Sequence, residues 1–277
     1  TYNTSIFNKA PINYYFNCLS DHNNWAVASQ KKGLNHFLSQ SIINKADGGL
    51  KGDFGYGKLK NVGKLDINKL LDKFKNKLAS DCFSQSTFNY KELKFLDNKI
   101  EYKGIKAKYI IFCEGFKLRY NPWFSYLPLI GSKGEFLYIR TKAISQKKII
   151  KRGLFIVPMG KDLFWIGANF DRKYKTIRPT KLGKEWILSK LKDIIDCSFE
   201  VVNHKAAIRP TVQDRRPLLG VHPIEKNIYV FNGMGTRGVL MGPLLAKWMY
   251  NFVVGGKKLW PEIAIDRFET YFSNPRK

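Results

Sequence analysis

Apolar positions along this chain switch between two spacings, and the switches mark its elements. Residues 1–45 mix polar and aromatic side chains with no clear period. Within them, "DHNNWAVASQ" predicts a short helix with Asp21 as its cap. A glycine-rich passage, "DGGLKGDFGYGKLKNVGKLD", predicts turns around short strands. Leu70, Leu71, Phe74 and Leu78 then fall at helical spacing behind Asp66, which predicts a capped amphipathic helix of about three turns.

Strand-like runs follow. "FNYKELKFLDNKIEYKGIKAKYIIFCEG" predicts a strand, a turn at Asp97 and Asn98, a second strand and a third over Lys108–Cys113. The third is continuously apolar, which fits a strand buried on both faces. Beyond Pro122 and Pro128, "GEFLYIRT", "LFIVPMG" and "LFWIGANF" are strand-like, and Gly160-Lys161-Asp162 predicts a hairpin between the last two. Leu182, Trp186, Ile187, Leu191 and Ile194 predict an amphipathic helix, and "FEVVNHKAAIRPT" a further strand. The end returns to strand (Ile228–Phe231), glycine-rich turn and long apolar helix. There is no internal repeat. The pattern predicts α/β character at both ends with an antiparallel layer between them.

Composition changes this picture in one respect. Hydrophobic and charged fractions of 44% and 25% are those of an ordinary globular chain, but the net charge is +26. Such a charge suits a polyanionic partner. It equally suits compositional drift, since Lys, Asn, Ile, Phe and Tyr are enriched together and the lysines are spread rather than blocked. The four cysteines are far apart and without C-x-x-C spacing, which predicts reduced thiols and a cytoplasmic location. Val239–Val254 is apolar but short and interrupted by Lys247, so a buried helix is expected there rather than a membrane span.

The candidate chemistry is concentrated late in the chain. The four histidines have no metal-ligand spacing, and neither a G-x-S-x-G elbow nor a Walker A loop is present. "AAIRPTVQDRRPLLG" brings Arg209, Arg215 and Arg216 together between Pro210 and Pro217, a setting that stiffens a guanidinium for a carboxylate or forms a surface turn. Gly233-Met-Gly235-Thr236-Arg237-Gly238 spells G-x-G-x-x-G between a strand and a helix. Its glycines allow close backbone approach, and a helix starting near Gly238 turns its positive dipole end toward the loop. The acidic residue of a dinucleotide site, due about twenty positions later on a second strand, is missing.

Three segments together resemble one family. "IKAKYIIFCEGF", "RPTVQDRRPLLG" and "NIYVFNGMGTRGVLMGPLLAKWM" are similar, in order and spacing from about Gly48 onward, to FAD-dependent oxidoreductases of the D-amino-acid oxidase-like, glycine/sarcosine oxidase type. The resemblance implies an α/β chain with an incomplete Rossmann-like FAD-binding domain (46–120 and 209–277) and an antiparallel-sheet α+β substrate domain (1–45 and 121–208). It implies FAD as cofactor and a small amine or amino acid as substrate. Arg209 and Arg237 would bind substrate, and Gly115, Gly233, Gly235, Thr236, Arg237, Gly238 and Val239 the flavin end of FAD, with no catalytic acid–base residue and no metal identified. The family's N-terminal strand, its own G-x-G-x-x-G and its ribose-binding acid are not in the sequence, which predicts an N-terminally truncated member that binds FAD poorly alone. Two further readings follow. The last two motifs also resemble the oxidoreductase half of the bifunctional enzyme that matures 5-methylaminomethyl groups on wobble uridine, with tRNA as a partner. A truncated, non-catalytic fragment is the third reading.

Overall fold

The computed structural model describes residues 6–273. The outermost residues of the two expected domains, 1–5 and 274–277, lie outside that range. In chain order, β1 (Phe7–Lys9), β2 (Ile12–Tyr15), α1 (Leu19–Gln30), β3 (Leu38–Ile43), β4 (Tyr56–Leu59), β5 (Gly63–Leu65) and α2 (Ile67–Lys75) come first. Then follow β6 (Leu93–Leu96), β7 (Lys99–Tyr102), β8 (Ile105–Ala107) and β9 (Ile110–Phe112). The middle holds β10 (Ser132–Arg140), β11 (Ile149–Arg152), β12 (Leu154–Gly160), β13 (Leu163–Gly167), α3 (Lys181–Lys192) and β14 (Glu200–Arg209). Last are β15 (Leu218–Val221), β16 (Ile228–Asn232), α4 (Gly238–Val253) and α5 (Glu269–Ser273). The fold is mixed α/β with sheets rich in antiparallel pairing.

The chain divides into two compact units. The first gathers residues up to Gln85 with Gly134–Asn169 and Arg178–Ala206. Its sheet has the order β14-β10-β13-β12-β11-β2-β4-β3. Antiparallel pairing runs from β10 through β13 and β12 to β11, β2 joins β11 in parallel, and β4 and β3 continue antiparallel. Lys161 and Asp162 carry φ of 51° and 57°, as both central residues of a tight hairpin require, so the hairpin read from Gly160-Lys161-Asp162 stands. Leu137, Ile139, Ile156, Phe164 and Ile166 form the core with Ile187 and Leu191 of α3.

Three local readings are adjusted. Asp21 lies inside α1, whose cap position is Cys18, and its carboxylate accepts from the backbone and side chain of Asn17. Asp66 does cap α2, accepting from Lys69 N at 3.1 Å, but the helix ends at Lys75, before Leu78. In α3, Leu182 and Trp186 are exposed and the buried face is Gly183, Ile187 and Leu191. The cause is Glu135 of β10, which is 1% exposed. A Cβ built on Gly183 would lie 2.3 Å from the Glu135 carboxyl carbon, so the helix lies against the strand at its one glycine. Thr180, not read as a cap from the sequence, accepts from Gly183 N at 3.1 Å.

The second unit gathers Ser86–Lys133, Phe170–Ile177 and residues from Ala207 onward. The expected domain boundary at 45/46 thus falls inside the first unit, because β4 hydrogen-bonds between β2 and β3. Residues 121–133, expected with the substrate domain, belong to the second unit, where Leu129 bridges Val212. Strands β6, β7 and β8 form a meander whose first turn carries Asn98 at φ 57°, as the Asp97-Asn98 turn signal predicts. A separate sheet has the order β15-β16-β9, with β9 parallel to β16 and β15 antiparallel. Leu245 and Met249 of α4 pack on Leu219 and Tyr229 of that sheet. Strand β9 is not buried on both faces: Phe112 is 4% exposed but Ile111 is 41% exposed, since the described residues cover one face of the sheet at that edge.

His222, just after β15, is 5% exposed. Its Nδ1 accepts from the backbone N–H of Ile224 at 3.3 Å and of Glu225 at 3.0 Å. Protonating that nitrogen removes both bonds. Burial pushes its pKa below the ordinary histidine value, with Lys226 adding to the shift and Glu225 opposing it. A group whose folded pKa is depressed contributes stability that is complete above its unfolded pKa of about 6.5 and is lost as pH falls through the folded value. Urea midpoints should therefore decline below about pH 6.5. The decline should shrink in His222→Asn, which keeps an acceptor without titrating; an equal decline in both proteins would remove His222 as its source.

Candidate functional site

The site is built where two parallel strands of the second unit end. Strands β9 and β16 run side by side, and each leads into a glycine turn, Gly115 after β9 and Gly233 after β16. Ligands of α/β sheets gather at such carboxyl ends. Asn232, 4% exposed, joins the two turns. Its Nδ2 donates to Gly115 O at 2.9 Å, and its Oδ1 accepts from Gly233 N at 2.7 Å. Behind Gly115, the Glu114 carboxylate accepts from Tyr90 Oη and from Asn121 Nδ2 at 2.8 Å. Burial and this carboxylate both push the Tyr90 phenol upward, so it stays a donor. Sequence reasoning missed Asn232. Its signal was present, an amide at the end of an apolar strand directly before a glycine, but the partner lies 117 positions away.

The Gly233–Gly238 turn has two glycines with different duties. Gly233 has φ 76°, and a Cβ there would meet Val212 Cγ2 at 2.7 Å and Leu218 Cγ at 2.9 Å. It is demanded by internal packing. Gly235 has φ 55°, but the nearest atom to its Cβ position is Thr211 Oγ1 at 3.9 Å. Its backbone faces open space. The arginine-rich stretch is fastened to the turn from outside: Gly235 N donates to Pro210 O at 3.1 Å, and Thr211 bridges Met234. Helix α4 then begins at Gly238 with ordinary helical angles and no side chain capping its start. The first-turn N–H groups and the dipole end are thus left for something else to satisfy.

A cavity of about 470 Å³ opens on this turn, within the range of small-molecule sites. Gly233, Gly235, Thr236 and Arg237 line it, together with Ser132, Phe170 and Thr211. Arg172 and Arg215 also line it, and no carboxylate does. Arg209 is not in the cavity wall; its guanidinium stacks over the Phe170 ring, 4.3 Å from the centroid, and Phe170 is part of the wall. Burial lowers the Arg209 pKa, yet a guanidinium keeps its charge at neutral pH. Gly115 is connected through Asn232, while Gly238 and Val239 form the first turn of α4 beside the cavity lining rather than in it. Phe170 and Arg172 escaped sequence reasoning because they arrive from a distant segment with no motif of its own.

The residues fit the ring end of a flavin. The bare Gly235 backbone admits a flat ring, and Arg237 with the uncapped α4 start favours an electron-rich edge. Among the described residues, no cluster of three or more His, Cys, Asp or Glu side chains is placed to hold a metal ion, and no helix is long and apolar enough to cross a membrane. All four cysteines are free thiols.

Comparison with known proteins agrees with this fold. The family described as FAD dependent oxidoreductase matches residues 91–251, more than half of the chain, and the chain belongs to that family. Glycine oxidase from Geobacillus kaustophilus superposes with a TM-score of 0.74 at 17% identity, over 96% of this chain and 76% of that one. L-proline dehydrogenase from P. horikoshii superposes with a TM-score of 0.75 at 14% identity, over 95% of this chain and 78% of that one. At such identities the likeness is one of fold. In sequence, the chain is 25% identical over 127 residues to the tRNA 5-methylaminomethyl-2-thiouridine biosynthesis bifunctional protein of Idiomarina loihiensis, a match spanning 44% of this chain and 21% of that protein.

Proposed function

We propose that this chain forms the flavin-ring and substrate side of an FAD-dependent oxidoreductase that oxidises the C–N bond of a small amine or amino acid. The observation that carries the reading is the cavity on the Gly233–Arg237 turn, where an uncapped helix start and arginines meet at the ends of two parallel strands. Under this reading the second unit is the cofactor unit. FAD, when bound, supplies the acceptor for a hydride from the carbon next to the amine nitrogen. Arg237 and the first turn of α4, with Gly238 and Val239, favour negative charge at the adjoining ring edge. Gly235 and Thr236 give the ring its close approach, and Asn232 holds Gly115 and Gly233 in register. Arg209, braced on Phe170, orients a substrate carboxylate so that the reacting C–H faces the ring.

A second reading, oxidation of a carboxymethylamine carried on tRNA, is favoured by the 25% identity to the bifunctional tRNA protein and by the charge of +26. Flavin bleaching distinguishes the two: a free amine or amino acid should suffice under the first, and only modified tRNA under the second. Arg209→Leu should raise the substrate dissociation constant about tenfold or more, since a bidentate charged contact is lost, while flavin affinity changes little. Flavin loss as the main effect would refute the assigned role.

A further inference from the structure

We propose that the cavity of the second unit selects ligands with two separated acidic groups over ligands with one, so that the amine substrate is a diacid. This rests on the reading that the cavity is the substrate side of the flavin site.

Three arginines, Arg172, Arg215 and Arg237, are among the lining residues of the cavity, and no Asp or Glu is. Among the described residues, no ion pair or side-chain hydrogen bond engages any of the three. The acids next to them in sequence are turned elsewhere. Asp214 accepts from Arg267 Nε at 2.8 Å and from Arg216 N at 3.0 Å. Asp171 accepts from Lys173 N at 2.8 Å. Arg215 moreover has φ 62°, a left-handed backbone that costs a side-chain-bearing residue about 1 kcal/mol.

Charge counting then decides the ligand. An amine with one carboxylate is neutral as a zwitterion and carries a single negative charge as the free amine. If Arg237 serves the flavin edge and Arg209 takes that carboxylate, Arg172 and Arg215 are left at the cavity wall for a second acidic group. The three arginines are exposed, and like charges around one cavity repel. A second acidic group relieves that repulsion and accepts a second fork of hydrogen bonds. That group is a carboxylate or a phosphate.

The test is titration calorimetry of the full 277-residue chain at low salt with acetate, succinate and phosphonoacetate. Succinate or phosphonoacetate should bind at least tenfold more tightly than acetate. The tighter of the two identifies the second group as carboxylate or phosphate. Arg172→Gln and Arg215→Gln should each abolish most of the ratio. If Arg215→Gln fails to fold, Arg215→Asn, suited to left-handed backbone, replaces it. A ratio near one in the native protein, or an unchanged ratio in both positions' variants, overturns the proposal. Flavin binding is read separately from the visible spectrum. Diacid selectivity without binding of riboflavin, the ring end alone, supports this inference while refuting the functional reading; riboflavin binding with a ratio near one does the reverse.

Discussion

Gly233→Ala should destabilise the protein by about 3 kcal/mol, the sum of left-handed backbone strain and overpacking. The added methyl would lie 2.7 Å from Val212 Cγ2, 2.9 Å from Leu218 Cγ and 3.0 Å from Leu218 N. None of these is the free end of a flexible chain. Val212 and Leu218 are fully buried, and Leu218 is paired to Asn232 across β15 and β16. Relief would have to come from the strand end itself, which carries Asn232 and through it Gly115. Gly235→Ala, two residues on, should cost only about 1 kcal/mol, from strain alone, because its Cβ meets nothing nearer than 3.9 Å. Denaturant unfolding of both variants checks the contrast. Equal losses would mean that the two glycines do not have the separate duties described above.

Glu135→Leu should cost about 3 kcal/mol or more, because it removes a buried carboxylate that accepts from both the backbone and the hydroxyl of half-buried Thr180. Glu135 Oε2 accepts from Thr180 N at 2.8 Å and Oε1 from Thr180 Oγ1 at 2.8 Å. His204 Nε2 lies 2.9 Å from Oε2. The carboxylate also sits at the N-terminus of α3, where negative charge opposes the helix dipole. Glu135→Gln keeps an acceptor and should cost about 1 kcal/mol. Thermal unfolding should show the leucine variant melting roughly 6–12 °C below the native protein. A leucine variant as stable as the glutamine variant would show that the buried acceptor contributes nothing. Gly183→Ala offers an independent check, since its methyl would occupy the space of the same carboxylate.

The parts of this fold that were legible in the sequence are those governed by neighbours along the chain. Asp66 caps α2, Lys161 and Asp162 turn a hairpin, and the strand–turn–helix over 228–253 follows its pattern. A cap, a turn and an apolar period are each decided within a few residues. What was not legible depends on pairing at long range. No local signal places β4 between β2 and β3, which moves residues 56–59 away from the expected cofactor domain. Nor does any local signal say that Leu182 and Trp186 stay exposed, because the cause is Glu135, some 45 residues earlier. The site divides in the same way. Gly233, Gly235, Thr236 and Arg237 could be read from one motif. Asn232, Phe170 and Arg172 act only through partners brought from elsewhere. Arg215 was visible in "QDRRP", but its left-handed backbone and its place in the cavity wall were not.

The role proposed for the Gly233–Gly238 turn is to receive the ring end of the cofactor rather than its adenosine or pyrophosphate end. The most direct test is a titration of riboflavin against ADP, followed by flavin fluorescence and by calorimetry, on the native chain and on Gly235→Val. Saturable riboflavin binding that quenches fluorescence is expected, weakened about tenfold or more in Gly235→Val because the side chain fills the bare approach, with no displacement by ADP. Binding of ADP in place of riboflavin, or riboflavin binding that the valine leaves unchanged, would contradict it.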